Sequence, residues 1–253
     1  MRDYFIFRRA ESKWGPSSMS HAKRALGYFF VDQLRVGTQW TVFREVRIIA
    51  RPSLPVVLSR EAVARVLGRI TEPRFRVCLR LIYQCGLRVG EAVHLENRDV
   101  DGVDNKLHVR ITKSRQDRFV PLGTGLLDDL RQWWRVHQNR TWLFPSPGRG
   151  WQLQHTDPGR SMRTAPRPMS VGSVQQAFSR ARQSSGIDHP ATVHTLRHSY
   201  ATHLLEEGVS IRLIAQYLGH QSLDTTVIYT HLTALNEART QAALAVLHRN
   251  LNT

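Results

Sequence analysis

The stretch His194–His231, HTLRHSYATHLLEEGVSIRLIAQYLGHQSLDTTVIYTH, decides how the rest of the chain is read. Its stop and start residues mark three helical pieces. The first runs from about His194 to Glu207 and stops at Gly208. Ser210 caps a second, Ile211 to Leu218, which stops at Gly219, and Ser222 is placed to cap a third that carries Tyr229. On the first piece His194 and Arg197 are three apart and share a face. Leu196, Tyr200 and Leu204 repeat at four on another face, the core side. His220 follows the Gly219 stop, where a side chain can point at a ligand instead of into packing. A guanidinium, two imidazoles and a phenol gathered by short elements suit an oxyanion such as a phosphate, with Tyr229 as an available nucleophile. Taken singly, each residue is better read as a core tyrosine or a surface histidine. The set is what argues for chemistry.

Upstream, Gly86-Leu-Arg88-Val-Gly-Glu91 follows an apolar helical pattern that Gly86 stops. Arg88 opens the next helix, and Glu91, three residues on, can reach back to hold its guanidinium. An arginine fork held by a carboxylate is placed to grip a phosphate with two prongs; alone, it would be a surface ion pair of little energetic weight. Leu107, Val109 and Ile111 alternate with polar residues as a half-buried strand, and Phe119–Leu122 is a return strand. Lys113-Ser-Arg-Gln-Asp forms the polar turn between them. An ammonium on a hairpin tip can reach into a groove and give a proton to a leaving oxygen, although a solvated turn lysine is the reading for a hairpin in isolation.

His194-Thr-Leu-Arg197-His198, Leu218-Gly219-His220 and Tyr229-Thr-His231 resemble the box of the tyrosine recombinases, or phage integrases. Gly86-Leu-Arg88-x-x-Glu91 is similar to the first-arginine motif of that family. Lys113 and the following Arg118-Phe-Val-Pro-Leu are similar to its hairpin lysine and the strand after it. The resemblance covers roughly Leu54 to His231. It implies a mainly α fold with a small antiparallel β-sheet (α+β) and a catalytic domain over residues 54–233. Residues 1–53 would be a shortened helical DNA-binding segment, and 234–253 a C-terminal helix that docks on its own domain or on a neighbouring protomer. The implied activity is site-specific DNA recombination or integration, as in phage and mobile elements. Tyr229 would be the nucleophile that forms a 3′-phosphotyrosyl link. Arg88 and Arg197 would hold the phosphoryl oxygens, Lys113 would protonate the departing 5′-hydroxyl, and His194 would assist proton transfer. His220 would hydrogen-bond the phosphate, and Glu91 would orient its neighbours. Double-stranded DNA is the implied partner, with a homotetramer assembled on it and a partner recombinase left open. The covalent link keeps the bond energy, so neither cofactor nor metal is called for.

Composition agrees with that partner. Among 253 residues, 36 Lys and Arg stand against 20 Asp and Glu, a net charge of +16 that favours a polyanion, nucleic acid before membrane. No apolar run approaches membrane-spanning length, and the N-terminal YFIF is too short for a signal segment, which points to the cytoplasm. Cys78 and Cys85 lie two helical turns apart, too far for a disulfide, and read as buried thiols.

Elsewhere, Ala22, Leu26, Phe29, Phe30 and Leu34 fit one helical face. Ser59 caps a helix to about Ile70, and Pro73 begins another with Phe75, Cys78, Ile82 and Cys85 inward. Leu126, Leu127, Leu130, Trp133 and Trp134 form an apolar helix face. Residues 145–168, rich in Pro, Gly, Ser and Arg, read as a loop. Ser170 caps a helix that turns Val171, Val174, Phe178 and Ala181 inward, and Leu235, Ala238, Ala242 and Val246 stripe the tail. A rival reading takes Leu204–Leu232 as a helix-turn-helix of a non-catalytic DNA-binding protein, or the whole as a recombinase that binds without strand exchange. The helix-turn-helix alternative gives Arg88 and Lys113 no role.

Overall fold

A computed structural model describes residues 2–34, 48, 55–110, 117–148, 158–220 and 222–232. The chain divides into two compact units, 1–53 and 54–253. In the first, α1 (Arg2–Ala10) and α2 (Pro16–Gly27) bury Phe5 and Met19. α2 passes into a π turn, Tyr28–Gln33. The expected single apolar face is therefore not kept: Phe29 and Leu34 are 50% and 52% exposed. A π turn takes more residues per turn than an α-helix, so the residues after Gly27 leave the 3.6-residue phase.

The second unit is built around α4 (Pro73–Cys85). The sequence marks one inward face, but Val77, Leu79 and Leu81 are buried as well as Phe75, Cys78, Ile82 and Cys85. Most of the helix is enclosed, because α3 (Arg60–Gly68), α5 (Val89–Val93), α6 (Thr124–His137), α8 (Val171–Ser184) and α9 (Val193–Glu206) all pack on it. Ser59 and Ser170 cap α3 and α8 by accepting from the Ala62 and Ser173 amides. Both thiols are free and buried, and burial pushes the Cys85 thiol up to about 12.

β1 (Val100–Asp101), β2 (Lys106–Val109) and β3 (Arg118–Pro121) form an antiparallel meander, with Leu107 opposite Val120 and Val109 opposite Arg118. Leu107, Val109 and Val120 fill one face of the sheet, and Arg118 lies on that same buried side. Lys113, Ile111 and the tail stripe lie outside the described residues.

Two expectations are corrected by the helices. Trp134 is 45% exposed, whereas its neighbour Trp133 is buried and donates its indole N–H to the Leu143 carbonyl at 2.9 Å. Adjacent helical residues lie about 100° apart, and here Trp133 falls on the buried side with Leu126 and Leu130 while Trp134 turns toward solvent. The expected loop contains a short helix, α7 (Pro158–Arg163), and is tied down at both ends. Met169 N–H reaches the Phe144 carbonyl at 2.7 Å, and the buried Asn139 amide donates to the carbonyls of Met162, Arg163 and Ala165. Among the described helices, none is long and apolar enough to cross a membrane.

The C-terminal box follows the stop residues. α9 is succeeded by α10 (Ile211–Leu218), which Ser210 caps, then α11 (Asp224–Val227) and a 3-10 turn, Ile228–Leu232. The cap position of α11 is Leu223 rather than Ser222, with no side-chain cap.

Gly86 ends α4 at φ +61, and a Cβ there would fall 2.4 Å from the Tyr200 ring and 2.9 Å from Leu218. Gly86→Ala combines left-handed strain with a clash against α9 and α10. It is expected to cost roughly 2–4 kcal/mol, read as a lower urea midpoint. A midpoint unchanged from the parent would contradict the close approach.

Candidate active site

Three elements, α5, β3 and α9, converge on one carboxylate, and α10 packs beside them. Arg88 is the N-cap of α5, and Glu91 closes a capping box with it: the carboxylate accepts from Arg88 N–H at 2.8 Å and from Arg88 Nη1 at 2.8 Å. The expected Arg88–Glu91 hold is therefore present, but it is not a surface pair. Arg118, almost fully buried, brings both terminal nitrogens onto the same carboxylate at 3.1 and 2.7 Å and donates Nε to the Tyr217 carbonyl at 2.7 Å. Arg197 Nη1 stands 3.9 Å from Glu91 Oε2. Burial alone would push the Glu91 carboxyl up, yet Arg118 and then Arg88 overcome it and hold it at about 2.

Arg197 is 1% exposed. Its two terminal nitrogens donate to the carbonyls of Gly86 and Leu218, each at 2.7 Å. One carbonyl belongs to Gly86, the left-handed residue that ends α4, and the other to Leu218, the last residue of α10 before the left-handed Gly219; at a helix C-terminus neither has an intrahelical donor. Burial, then the charge of Arg88, pushes Arg197 down to about 10, still protonated at neutral pH. A guanidinium carries five N–H groups, so two carbonyls leave donors over.

The histidines and the tyrosine gather next to these cations. His198, four residues after His194, meets it edge-on with ring centres 4.5 Å apart. His198 Nδ1 lies 2.9 Å from the Tyr229 hydroxyl. His220 Nδ1 is 2.8 Å from Thr226 Oγ1, which leaves Nε2 for another partner. Tyr229 is 3% exposed and packs with Tyr200, Ala201, Ile214 and Leu218. Burial pushes its phenol up, and the charges of Arg197 and Arg88 pull it partly back. Burial pushes His198 and His220 down to about 4, with help from His194 and Arg197 at the former and from Arg197, Arg88 and Arg118 at the latter. His194 is lowered by burial and by Arg197 and Arg88. All three imidazoles are thus neutral at pH 7.

The structure brings together Arg88, Glu91, His194, Arg197, His220 and Tyr229; Lys113 lies outside the described residues. Sequence reasoning assigned no role to Arg118 or His198. Arg118 had a signal in its register: it shares a strand face with Val120, so it points inward and calls for a buried partner. His198 had one in its spacing from His194.

A cluster of guanidiniums anchored on one carboxylate, beside a tyrosine whose hydroxyl meets an imidazole, defines a protein that handles an oxyanion next to a phenol. Comparison with known proteins agrees. The Phage integrase family matches residues 58–236. An integrase/recombinase of Escherichia coli is 33% identical over 266 aligned positions, covering 94% of this chain and 77% of its own length. Tyrosine recombinase XerA of Thermococcus kodakarensis is 37% identical over 196, covering 76% of this chain and 64% of its own. The crystal structure of a XerA recombinase superposes with a TM-score of 0.61 at 25% identity, over 95% of this chain and 81% of that one. A lambda integrase dimer bound to a COC′ core site shares the fold, with a TM-score of 0.71 at 21% identity, over 90% of this chain and 77% of that one. The chain belongs to the phage integrase family. It is a tyrosine recombinase, a DNA strand transferase that acts in site-specific recombination.

The Glu91 arrangement makes stability acid-sensitive. A carboxyl held at about 2 against its ordinary 4.5 contributes stability that is complete above pH 4.5 and is lost as pH falls through about 2. The size is on the order of 3 kcal/mol. His198 and His220, held at about 4 against 6.5, add to the loss earlier, as pH falls from 6.5. Glu91→Gln leaves Arg118 buried and uncompensated, which costs about 3–5 kcal/mol at neutral pH. It also removes the part of the slope below pH 4.5. Denaturant midpoints of the two proteins from pH 3 to 8 test this, and parallel curves would contradict it.

Proposed function

We propose that Tyr229 attacks a scissile phosphodiester of double-stranded DNA and forms a 3′-phosphotyrosyl link, which a 5′-hydroxyl later reverses. The observation that carries this reading is the Tyr229 hydroxyl at hydrogen-bond distance from an imidazole nitrogen, in the field of Arg197 and Arg88. Arg88, whose side chain is 33% exposed, and the remaining donors of Arg197 take the nonbridging oxygens as charge grows on them. His220 donates from Nε2 to the same phosphate, its Nδ1 being occupied by Thr226. Lys113 protonates the departing 5′-oxygen, and His194 assists proton transfer. Glu91 and Arg118 hold Arg88 in place.

The working unit in this reading is a homotetramer on DNA, with residues 234–253 exchanged between protomers and residues 1–53 adding phosphate contacts. The net charge of +16 supports an affinity that falls steeply with salt.

Tyr229→Phe keeps the ring and loses the attacking oxygen. DNA binding is expected to survive, whereas the SDS-resistant adduct on a nicked site vanishes. Lys113→Ala is expected to lose cleavage on ordinary DNA by about 10²-fold or more and to recover it on a 5′-phosphorothiolate, whose sulfur leaves without a proton. Tyr229→Phe does not recover on that substrate. An adduct formed by Tyr229→Phe would show the nucleophile to be another residue.

A further inference from the structure

His198 lies in the recombinase box without an assigned task, yet it is the described side chain that meets the Tyr229 hydroxyl. From this geometry we infer that His198, rather than His194, is the group that takes the proton from Tyr229 when the tyrosine attacks. The inference rests on the proposed nucleophilic role of Tyr229.

Three observations carry it. First, among the described hydrogen bonds, the one made by the Tyr229 hydroxyl runs to His198 Nδ1, at 2.9 Å. A phenol whose proton must leave during attack needs an acceptor within about 2.6–3.2 Å, and His198 stands at that distance. Second, the pair is held from both sides. His198 is fixed on α9, one residue after the fully buried Arg197 and one before Ser199, whose hydroxyl bonds the Thr195 carbonyl. Tyr229 is wedged against Tyr200 and Leu218. Third, the charged and titratable groups facing His198 are His194 and Arg197 on its own helix and Tyr229 and His220 beyond it. Burial, His194 and Arg197 keep its imidazole neutral, and in the inferred role the ring takes the Nε2–H tautomer, with the Nδ1 lone pair facing the phenol.

The step balances without any further reagent. The Tyr229 oxygen forms a bond to phosphorus, and its proton passes to His198 Nδ1, which becomes an imidazolium. The bond from phosphorus to the 5′-oxygen breaks, and that oxygen takes a proton from the leaving-group side. Religation runs the same transfers backward, with His198 returning the proton to the tyrosine. His194, edge-on at 4.5 Å, is placed to receive the imidazolium against its ring face or to shield it.

The test is His198→Asn in the full chain, because an asparagine oxygen occupies the place of Nδ1 and keeps the hydrogen bond but cannot take the proton. Melting temperature and binding to an uncleavable duplex report whether the variant is folded. Adduct formation on a nicked site is expected to slow by about 10²-fold or more and to remain slow on the 5′-phosphorothiolate, since the defect lies on the nucleophile. The wild-type rate falls in acid along a limb between about 4 and 6.5, as an approaching phosphate offsets the arginines. In His198→Asn that limb is lost, and the rate climbs toward the ionisation of tyrosine near pH 10. An independent reading is the ¹⁵N-histidine spectrum of the wild type, where His198 is expected as the Nε2–H form at neutral pH.

Three results overturn the inference: a His198→Asn rate within about threefold of wild type with the acid limb intact, rescue of the variant by the phosphorothiolate, or an Nδ1–H form of His198. Failure of His198→Asn to fold leaves the spectrum and the wild-type acid limb to decide. If the wild type forms no adduct, or Tyr229→Phe still forms one, the proposed function itself fails and this inference falls with it.

Discussion

Everything at the site hangs on the Glu91 carboxylate. Three guanidiniums surround it: Arg88 and Arg118 in direct contact and Arg197 at 3.9 Å. Like charges a few ångströms apart repel by several kcal/mol even at an effective dielectric of about 20. Folding would drive these arginines apart without a counter-charge between them. One carboxylate answers that problem and no more, so the cluster keeps an excess of positive charge for an incoming anion. Arg118 spends its whole fork on Glu91 and its Nε on Tyr217, which fixes β3 to α5 and α10. Arg88, the more exposed partner, keeps donors for a ligand.

The two glycine motifs are explained by the same cluster. Gly86 and Gly219 end α4 and α10 in the left-handed conformation, at φ +61 and +64. Each ending leaves a carbonyl near a helix C-terminus, where the partial charge is negative. Arg197 bridges the two, bonding Gly86 O and Leu218 O, so a buried cation caps two helices at once. Space enforces the choice as well: a Cβ on Gly219 would crowd the Arg118 guanidinium at 3.1 Å, and one on Gly86 would strike Tyr200. The glycines are therefore part of the arginine site rather than turns that happen to lie near it.

Helix ends were legible in the sequence because they are local: Ser59, Ser170 and Ser210 cap as spacing predicts, and the left-handed glycines stop where they should. The Arg88–Glu91 hold was readable for the same reason, being three residues apart. Arg118 was not given a role because its partner lies 27 residues away, across a sheet edge whose depth the local pattern does not reveal. The burial of α4 on nearly every side depends on five neighbours that the chain delivers from both directions. The drift of the Phe29–Leu34 face came from a π turn, which leaves no mark in hydrophobic spacing.

Charge and proton handling are divided between different residues. The arginines supply fixed positive charge, while burial strips charge from the imidazoles: His198 and His220 sit at about 4 and His194 is lowered too. Burial also raises the Tyr229 phenol, and Arg197 and Arg88 reverse that in part. At neutral pH the tyrosine therefore keeps its proton, and two outcomes become separable. A site that ionised its tyrosine in advance would need a strong cation at the hydroxyl and no base. This one places a neutral imidazole at the hydroxyl and stands its nearest guanidinium on backbone carbonyls. On the roles proposed for Tyr229 and His198, ionisation would be tied to the arrival of a phosphate, whose negative charge would make an imidazolium tolerable among the arginines. The tyrosine would then stay protonated until that charge is in place.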